Sequence, residues 1–335
     1  MTADARAIDI HNHIVPADIP PYAGKHGGSR WPQMAPCDAR HKNVMIDGKN
    51  FRTVGDECWD VGRRIAAMDA TGIGMQVLSP MPELLSYWFP PEDAVAFGRV
   101  VNGAIAEMVA RAPQRFAGLG MVPLQDPEWA ARELERLMKD GFRGAEIGTN
   151  VNGVAIGDPR FEPFFAAAER LDAAIFVHAL HPASLERIVG PPRLAPFVAF
   201  PGETNFAICS LISGGTLEKH PKLRIGFSHG GGTFAIVLPR LAQGWTISPV
   251  LRETIKVDPR ETARRLYYDT LVFEAKTVRL LIELFGLSQL CVGSDFPFDA
   301  ADKEPLRDLA KLQLSAADLA AVHESNARQF LGLAM

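Results

Sequence analysis

The sequence predicts an α/β fold, a (β/α)8 barrel with a small insertion after its first strand. Three observations carry that expectation. Short apolar runs alternate with longer segments of helical period along the whole chain, the pattern of βα units around a parallel sheet. Eight such runs stand at 7–11, 74–79, 116–122, 144–148, 174–178, 224–229, 266–269 and 290–295. Several run directly into histidine or aspartate, as expected where a site forms at the C-terminal ends of barrel strands. An open doubly wound sheet is the competing architecture, and no Gly-x-Gly-x-x-Gly follows the first strand to support it.

The first run, Ile8-Asp9-Ile10, leads into His11-Asn12-His13. Strand side chains alternate between faces, so both imidazoles point one way and Asn12 the other. Residues 14–58 are rich in proline, glycine and aromatics, and Gly48-Lys49-Asn50 suggests a turn between two short strands. This segment reads as an insertion covering the barrel mouth. Asp60 is a candidate N-cap for a helix running through Ile65 and Met68 to Gly72. Pro90-Pro91-Glu92-Asp93 opens a helix reaching Pro113, and Asp126-Pro127 supplies an N-cap with proline at the first helical position. Later runs end in His178, in His229 and, through Cys291-Val292-Gly293-Ser294, in Asp295. Gly230-Gly231-Gly232 is read as permitting close backbone approach to the site, ahead of a phosphate cradle. No repeat, low-complexity tract or linker divides the chain, so residues 1–335 are expected to form a single domain.

With 47% hydrophobic and 22% charged residues, the composition is globular and excludes disordered and fibrous classes. A net charge of -4 and the lack of any dense Lys/Arg run argue against a nucleic-acid partner. Met1 to Arg6 carry no basic region leading into an apolar segment, and no apolar run approaches the roughly 18 residues of a membrane span. A cytoplasmic protein with no membrane partner is expected. Cys37, Cys58, Cys209 and Cys291 lie far apart, which fits reduced packing thiols better than a disulfide frame.

Histidines and an aspartate at strand ends suit a divalent metal, zinc first, with iron, cobalt or manganese possible by geometry. A metal so held keeps a position open for water, whose pKa falls toward about 7. A histidine left outside the coordination sphere would then move protons near working pH. The residues alone leave His178 and His229 interchangeable between those two tasks.

Several motifs together resemble the amidohydrolase superfamily and, within it, the aminocarboxymuconate-semialdehyde decarboxylase-like branch of nonoxidative decarboxylases. They are Asp9-Ile10-His11-Asn12-His13, Phe51-Arg52, Cys58-Trp59-Asp60, Arg64-Ile65, Met68-Asp69, Ser86-Tyr87-Trp88 and Pro91-Glu92-Asp93. The series continues with Ile147-Gly148-Thr149, Pro201-Gly202-Glu203-Thr204, His229-Gly230-Gly231-Gly232 and Gly293-Ser294-Asp295-Phe296-Pro297-Phe298. The resemblance implies zinc ligands at His11, His13, His178 and Asp295, with Asp295 and His229 as catalytic residues. It also implies Arg52 and Arg240 as clamps on a substrate carboxylate and no organic cofactor; Trp88 is read as a candidate substrate contact lining the pocket, with core filling the alternative. The implied activity is removal of CO2 from an aminocarboxymuconate semialdehyde or a related unsaturated or aromatic carboxylic acid. A homodimer with Arg240 shared between subunits is expected, because Arg240 lies 11 residues beyond His229. If helical, that separation is roughly 16 Å along the axis, beyond easy reach of its own metal.

Two departures bear on substrate. The chain reads His178-Ala179-Leu180-His181-Pro182 where such relatives have Pro-Trp-Asp after the histidine, so His181 becomes a candidate substrate contact, weighed against a solvated loop histidine. Glu146 stands where they carry an amide, and a structural role is expected for it. A mononuclear hydrolase on the same barrel is the alternative activity, and a noncatalytic binding barrel a further one. Strand 144–148 lacks the lysine that bridges two metals in many hydrolases of this type. His26, His41, His220 and His323 read as solvated, and Trp59 and Trp245 as core.

Overall fold

A computed structural model describes residues 7–191 and 193–334. The segment Met1 to Arg6, on which the leader reading rests, lies outside the described residues. The sheet has eight strands: β1 (Ala7–Ile14), β2 (Ile73–Pro80), β3 (Phe116–Gly120), β4 (Gly144–Gly148), β5 (Ala174–His178), β6 (Arg224–Phe227), β7 (Tyr267–Asp269) and β8 (Leu290–Cys291). They pair in parallel in chain order. Parallel bridges from Asp9 to Val292 and from Asn12 to Phe296 bring β1 and the β8 segment together and close the barrel.

Helices pack outside the strands: α1 (Val61–Thr71), α2 (Pro91–Arg111), α3 (Pro127–Lys139), α4 (Glu162–Arg170), α5 (Phe200–Ser213), α6 (Phe234–Ile247), α7 (Ala275–Phe285) and α8 (Asn326–Leu331). The expected stop signals operate. Asp60 accepts from the Arg63 amide, Gly72 ends α1 at φ 74°, and Asp126 accepts from the Trp129 amide. Ile8, Ile10, Val77, Leu119, Phe176 and Tyr267 form a buried cluster with Phe330 and Leu331 of α8. That helix sits at the N-terminal end of β6, where Arg224 donates to the Gln329 carbonyl at 3.0 Å, so the opposite end remains for the site.

Between β1 and α1 the chain forms a three-stranded antiparallel sheet of Gln33–Pro36, His41–Ile46 and Lys49–Gly55. Its hairpin turns at Asp47-Gly48, one residue earlier than expected, because both residues adopt the left-handed region (φ 54° and 69°) of a type I′ turn. β6 and β8 are also shorter than expected. His229 and Asp295 stand at φ 57° and 62°, which takes each out of its strand ladder. Among the described residues no helix is long and apolar enough to cross a membrane, and all four cysteines are unpaired.

Candidate metal centre

Closure of the barrel gathers His11 and His13 from β1, His178 from the end of β5 and Asp295 from the segment after β8. One ligand atom from each lies within 4.8 Å of the others. Each imidazole spends its Nδ1 proton elsewhere: His11 on Asp269 Oδ2 at 2.6 Å, His13 on the Pro80 carbonyl at 3.0 Å, His178 on the Ala179 carbonyl at 2.8 Å. The three Nε2 atoms are buried and have no hydrogen-bond partner. Asp295 Oδ1 stands 3.1 Å from His13 Nε2 and 3.6 Å from His11 Nε2. Buried imidazole nitrogens converging on a carboxylate with no hydrogen-bond partner are costly to leave unmet, and three such nitrogens with a carboxylate fit a divalent metal.

Ionisation follows the same crowding. Burial opposes the charge on Asp295, but His13, His11 and His178 outweigh it and hold that carboxyl far below the usual range. Burial lowers His13 and drives His178 well down. On His11 burial is outweighed by Asp269, and its pKa rises to about 9. Without a metal, a proton therefore sits on the ring that would face it. Burial, aided by His11, pushes His229 down to about 4. His229 lies outside the ligand set, its Nδ1 buried without a partner and its ring 5.0 Å from that of His11. The geometry thus separates His178 from His229, which the residues alone left interchangeable.

Asp269 was not legible as a site residue. It ends β7, is fully buried, and takes His11 Nδ1 and the His229 amide (2.8 Å) on Oδ2, and the Gly230 (2.8 Å) and Leu271 (3.0 Å) amides on Oδ1. One carboxylate so orients a ligand and the loop bearing His229. The available signal was its place as a polar residue at a strand end. Fully buried Arg64 donates to Asn12 Oδ1 (2.7 Å), the His13 carbonyl (3.0 Å) and Gln76 (2.7 Å), bracing the His-x-His segment.

A cavity of about 360 Å³ opens over the centre, lined by Arg52, Glu83, His178, His181, His229 and Asp295 among largely apolar neighbours. The Arg52 guanidinium lies 4.3 Å from the centre of the Phe298 ring, and Phe298 stacks on His13 at 5.3 Å. Trp88 is not among the lining residues; Arg30 lies over its ring at 3.9 Å, and His181 is 6.1 Å away. Arg240 is exposed on α6 and does not line the cavity. Glu146 accepts from Ser79 Oγ at 2.6 Å and lies 3.6 Å from His13 Nδ1, with burial pushing it up to about 8. Of the other histidines, His220 is not solvated: it is buried between Glu162 (3.5 Å) and Glu169 (3.4 Å). Trp59 and Trp245 pack half-buried against the core.

The family description "Amidohydrolase" matches residues 8–333. The chain is 35% identical over 331 residues to the 2-amino-3-carboxymuconate-6-semialdehyde decarboxylase of Dictyostelium discoideum, covering 97% of this chain and 91% of that protein. A gamma-resorcylate decarboxylase of Rhizobium radiobacter is 28% identical over 71% of this chain and 77% of its own. A dihydroxybenzoic acid decarboxylase from Polaromonas sp. JS666, solved with manganese and 2-nitroresorcinol, superposes with a TM-score of 0.74 at 26% identity, covering 81% of this chain and 85% of that one. With its barrel, its converging ligands and these relatives, the chain belongs to the amidohydrolase family, in the branch of nonoxidative decarboxylases.

Proposed function

We propose that this chain removes CO2 from 2-amino-3-carboxymuconate semialdehyde or a closely related unsaturated or aromatic carboxylic acid. The observation that carries this reading is one cavity in which the ligand cluster, the Arg52 guanidinium and the His229 ring face a common space. Zinc is the proposed occupant, since three imidazoles and one carboxylate are its preferred donors, with manganese as in the Polaromonas enzyme the other candidate. A divalent ion there supplies Lewis acidity.

The chain's own residues do the rest. Arg52, over the Phe298 ring, offers a planar fork to a substrate carboxylate. Apolar walls strip water from the substrate, which favours departure of neutral CO2 over retention of carboxylate. His229, neutral in its buried seat, takes a proton from water and delivers it to the carbon that CO2 leaves, where the electron pair of the broken C–C bond receives it. Asp295 joins this chemistry from the ligand side. Trp88 supports the cavity wall from behind His181.

The homodimer belongs to the same proposal. Arg240 shares α6 with exposed Ile236 (71%) and Ile247 (68%), and exposed Phe206 (63%) stands on the adjoining α5. Such an apolar face suits a second copy, which would carry Arg240 to the neighbouring site. The insertion 14–58 is proposed to cover the mouth through Phe51 and Arg52, and the unpaired thiols support a reducing cytoplasmic setting.

The test is incubation of metal-replete protein with carboxymuconate semialdehydes and hydroxybenzoates in heavy water. One CO2 per substrate consumed, with deuterium on the carbon left behind, is expected. Substrate loss without CO2 would move the assignment to the hydrolase.

A further inference from the structure

Glu83 and His181 form a hydrogen-bonded pair inside the cavity, His181 Nε2 to Glu83 Oε1 at 3.2 Å, that neither metal binding nor proton transfer uses. They come from different loops: Glu83 from the short turn Pro82–Leu85 after β2, His181 from the loop after β5. The β5 loop is pinned on both sides of His181. The Asn150 amide donates to the Leu180 carbonyl at 2.7 Å, the Leu180 amide donates to Thr149 Oγ1 at 3.1 Å, and the Ala183 amide donates to Glu203 at 3.1 Å. His181 itself is held at φ 42°, a conformation costly outside glycine and maintained only where surroundings enforce it.

Apart from the metal ligands and His229, the ionisable residues lining the cavity are Arg52, Glu83 and His181. Arg52 is a donor-only fork, and an ionised carboxylate is acceptor-only. Glu83 Oε1 is occupied by His181, whereas Oε2 accepts from no described residue, in a side chain that keeps 17% exposure. Around the pair the wall is Met81, Pro82, Leu180, Pro182 and Leu185, which offer no competing polar side chain. A lone acceptor in an apolar wall attracts a hydrogen-bond donor and repels a second carboxylate.

We infer that Glu83, oriented by His181, is a specificity subsite that accepts a hydrogen bond from an amino or hydroxyl group on the substrate, in addition to the carboxylate held at Arg52. The inference rests on the decarboxylase reading for the identity of the acid, and it makes donor-bearing acids the preferred class. A fully buried polar subsite discriminates by about 10⁴ or more; one in partial contact with solvent should give roughly 10- to 100-fold.

The test measures binding, so that it stands apart from turnover. Metal-replete protein is titrated by calorimetry with the aminobenzoate, hydroxybenzoate and methylbenzoate isomers and with benzoate, the methyl group matching the others in size. At least one amino or hydroxy isomer should bind about 10-fold or more tighter than the methyl isomer of the same position. In Glu83→Leu, which has no acceptor, that ratio should fall below about 3, and in His181→Ala it should fall partway, thermal melting having shown both variants folded. The amino and hydroxy arms decide which donor is read. A wild-type ratio near one, or a ratio that survives Glu83→Leu, overturns the inference. Absence of CO2 release with the binding ratio intact would instead overturn the decarboxylase reading alone.

Discussion

Asp269 shows how much of the centre depends on one side chain that binds no substrate. It must accept from His11 Nδ1 and from three backbone amides at once, a task that needs four acceptor sites on a full carboxylate. Asp269→Asn keeps the shape but turns one oxygen into a donor facing amides. Metal affinity should fall roughly 10- to 100-fold, as measured by competition with a chelator, and kcat should fall further than metal reloading restores. At His11 the consequence is a pH dependence. Its pKa of about 9 means the metal-free ring carries a proton that the metal must displace, so lower pH disfavours binding. Apparent affinity should rise by about tenfold per pH unit from roughly pH 7 and level off above about 9, with proton release seen by calorimetry in buffers of different ionisation enthalpy. Arg52 acts on substrate instead. Arg52→Ala should lower kcat/KM by roughly 2 to 4 kcal/mol with metal content unchanged, and Arg52→Lys should be nearly as harmful, since an ammonium cannot make paired contacts.

At the scale of elements, the turn from β6 into α6 carries the proton-moving histidine. His229 leaves the strand at φ 57°, and Gly230, Gly231 and Gly232 follow at φ 61°, 77° and 61°. A Cβ on Gly232 would collide with the Pro201 carbonyl, the backbone that accepts from the Thr233 amide at 3.0 Å. The glycine run therefore serves close backbone approach, with α5 held against the turn. Gly232→Ala meets both a left-handed backbone and a fixed carbonyl. It should destabilise the fold by about 1 to 3 kcal/mol in chemical denaturation and displace His229, lowering kcat more than metal occupancy. Loss of stability with kcat intact would show that the loop absorbs the residue without moving the ring.

For the whole molecule, the open question posed by the chain is Arg240, exposed on α6 and away from the cavity lining. If a second copy brings it to the site, mixing inactive Arg240→Ala chains with inactive His229→Ala chains should restore part of the activity, because one hybrid site then holds both intact residues. Subunit exchange without recovery would place Arg240 outside the reaction.

The sequence by itself determined the architecture and the candidates for the ligand set. Strand runs, the Asp60 and Asp126 caps and the Gly72 stop are local signals, readable because hydrophobic period and capping chemistry act within a few residues. His11 and His13 were legible for the same reason. His178, His229 and Asp295 stood out at strand ends, and the motif resemblance supplied the choice of His178 as ligand and His229 as proton carrier. Tertiary structure alone decided which imidazole nitrogen each ligand frees, that Asp269, 258 residues from His11 in sequence, ties that ligand to the turn bearing His229, and that Glu83 meets His181 across 98 residues. It also decided that His220 is buried between two carboxylates. These are contacts between strand ends and loops that become neighbours only when the sheet closes on itself, and no local pattern encodes which of them will meet.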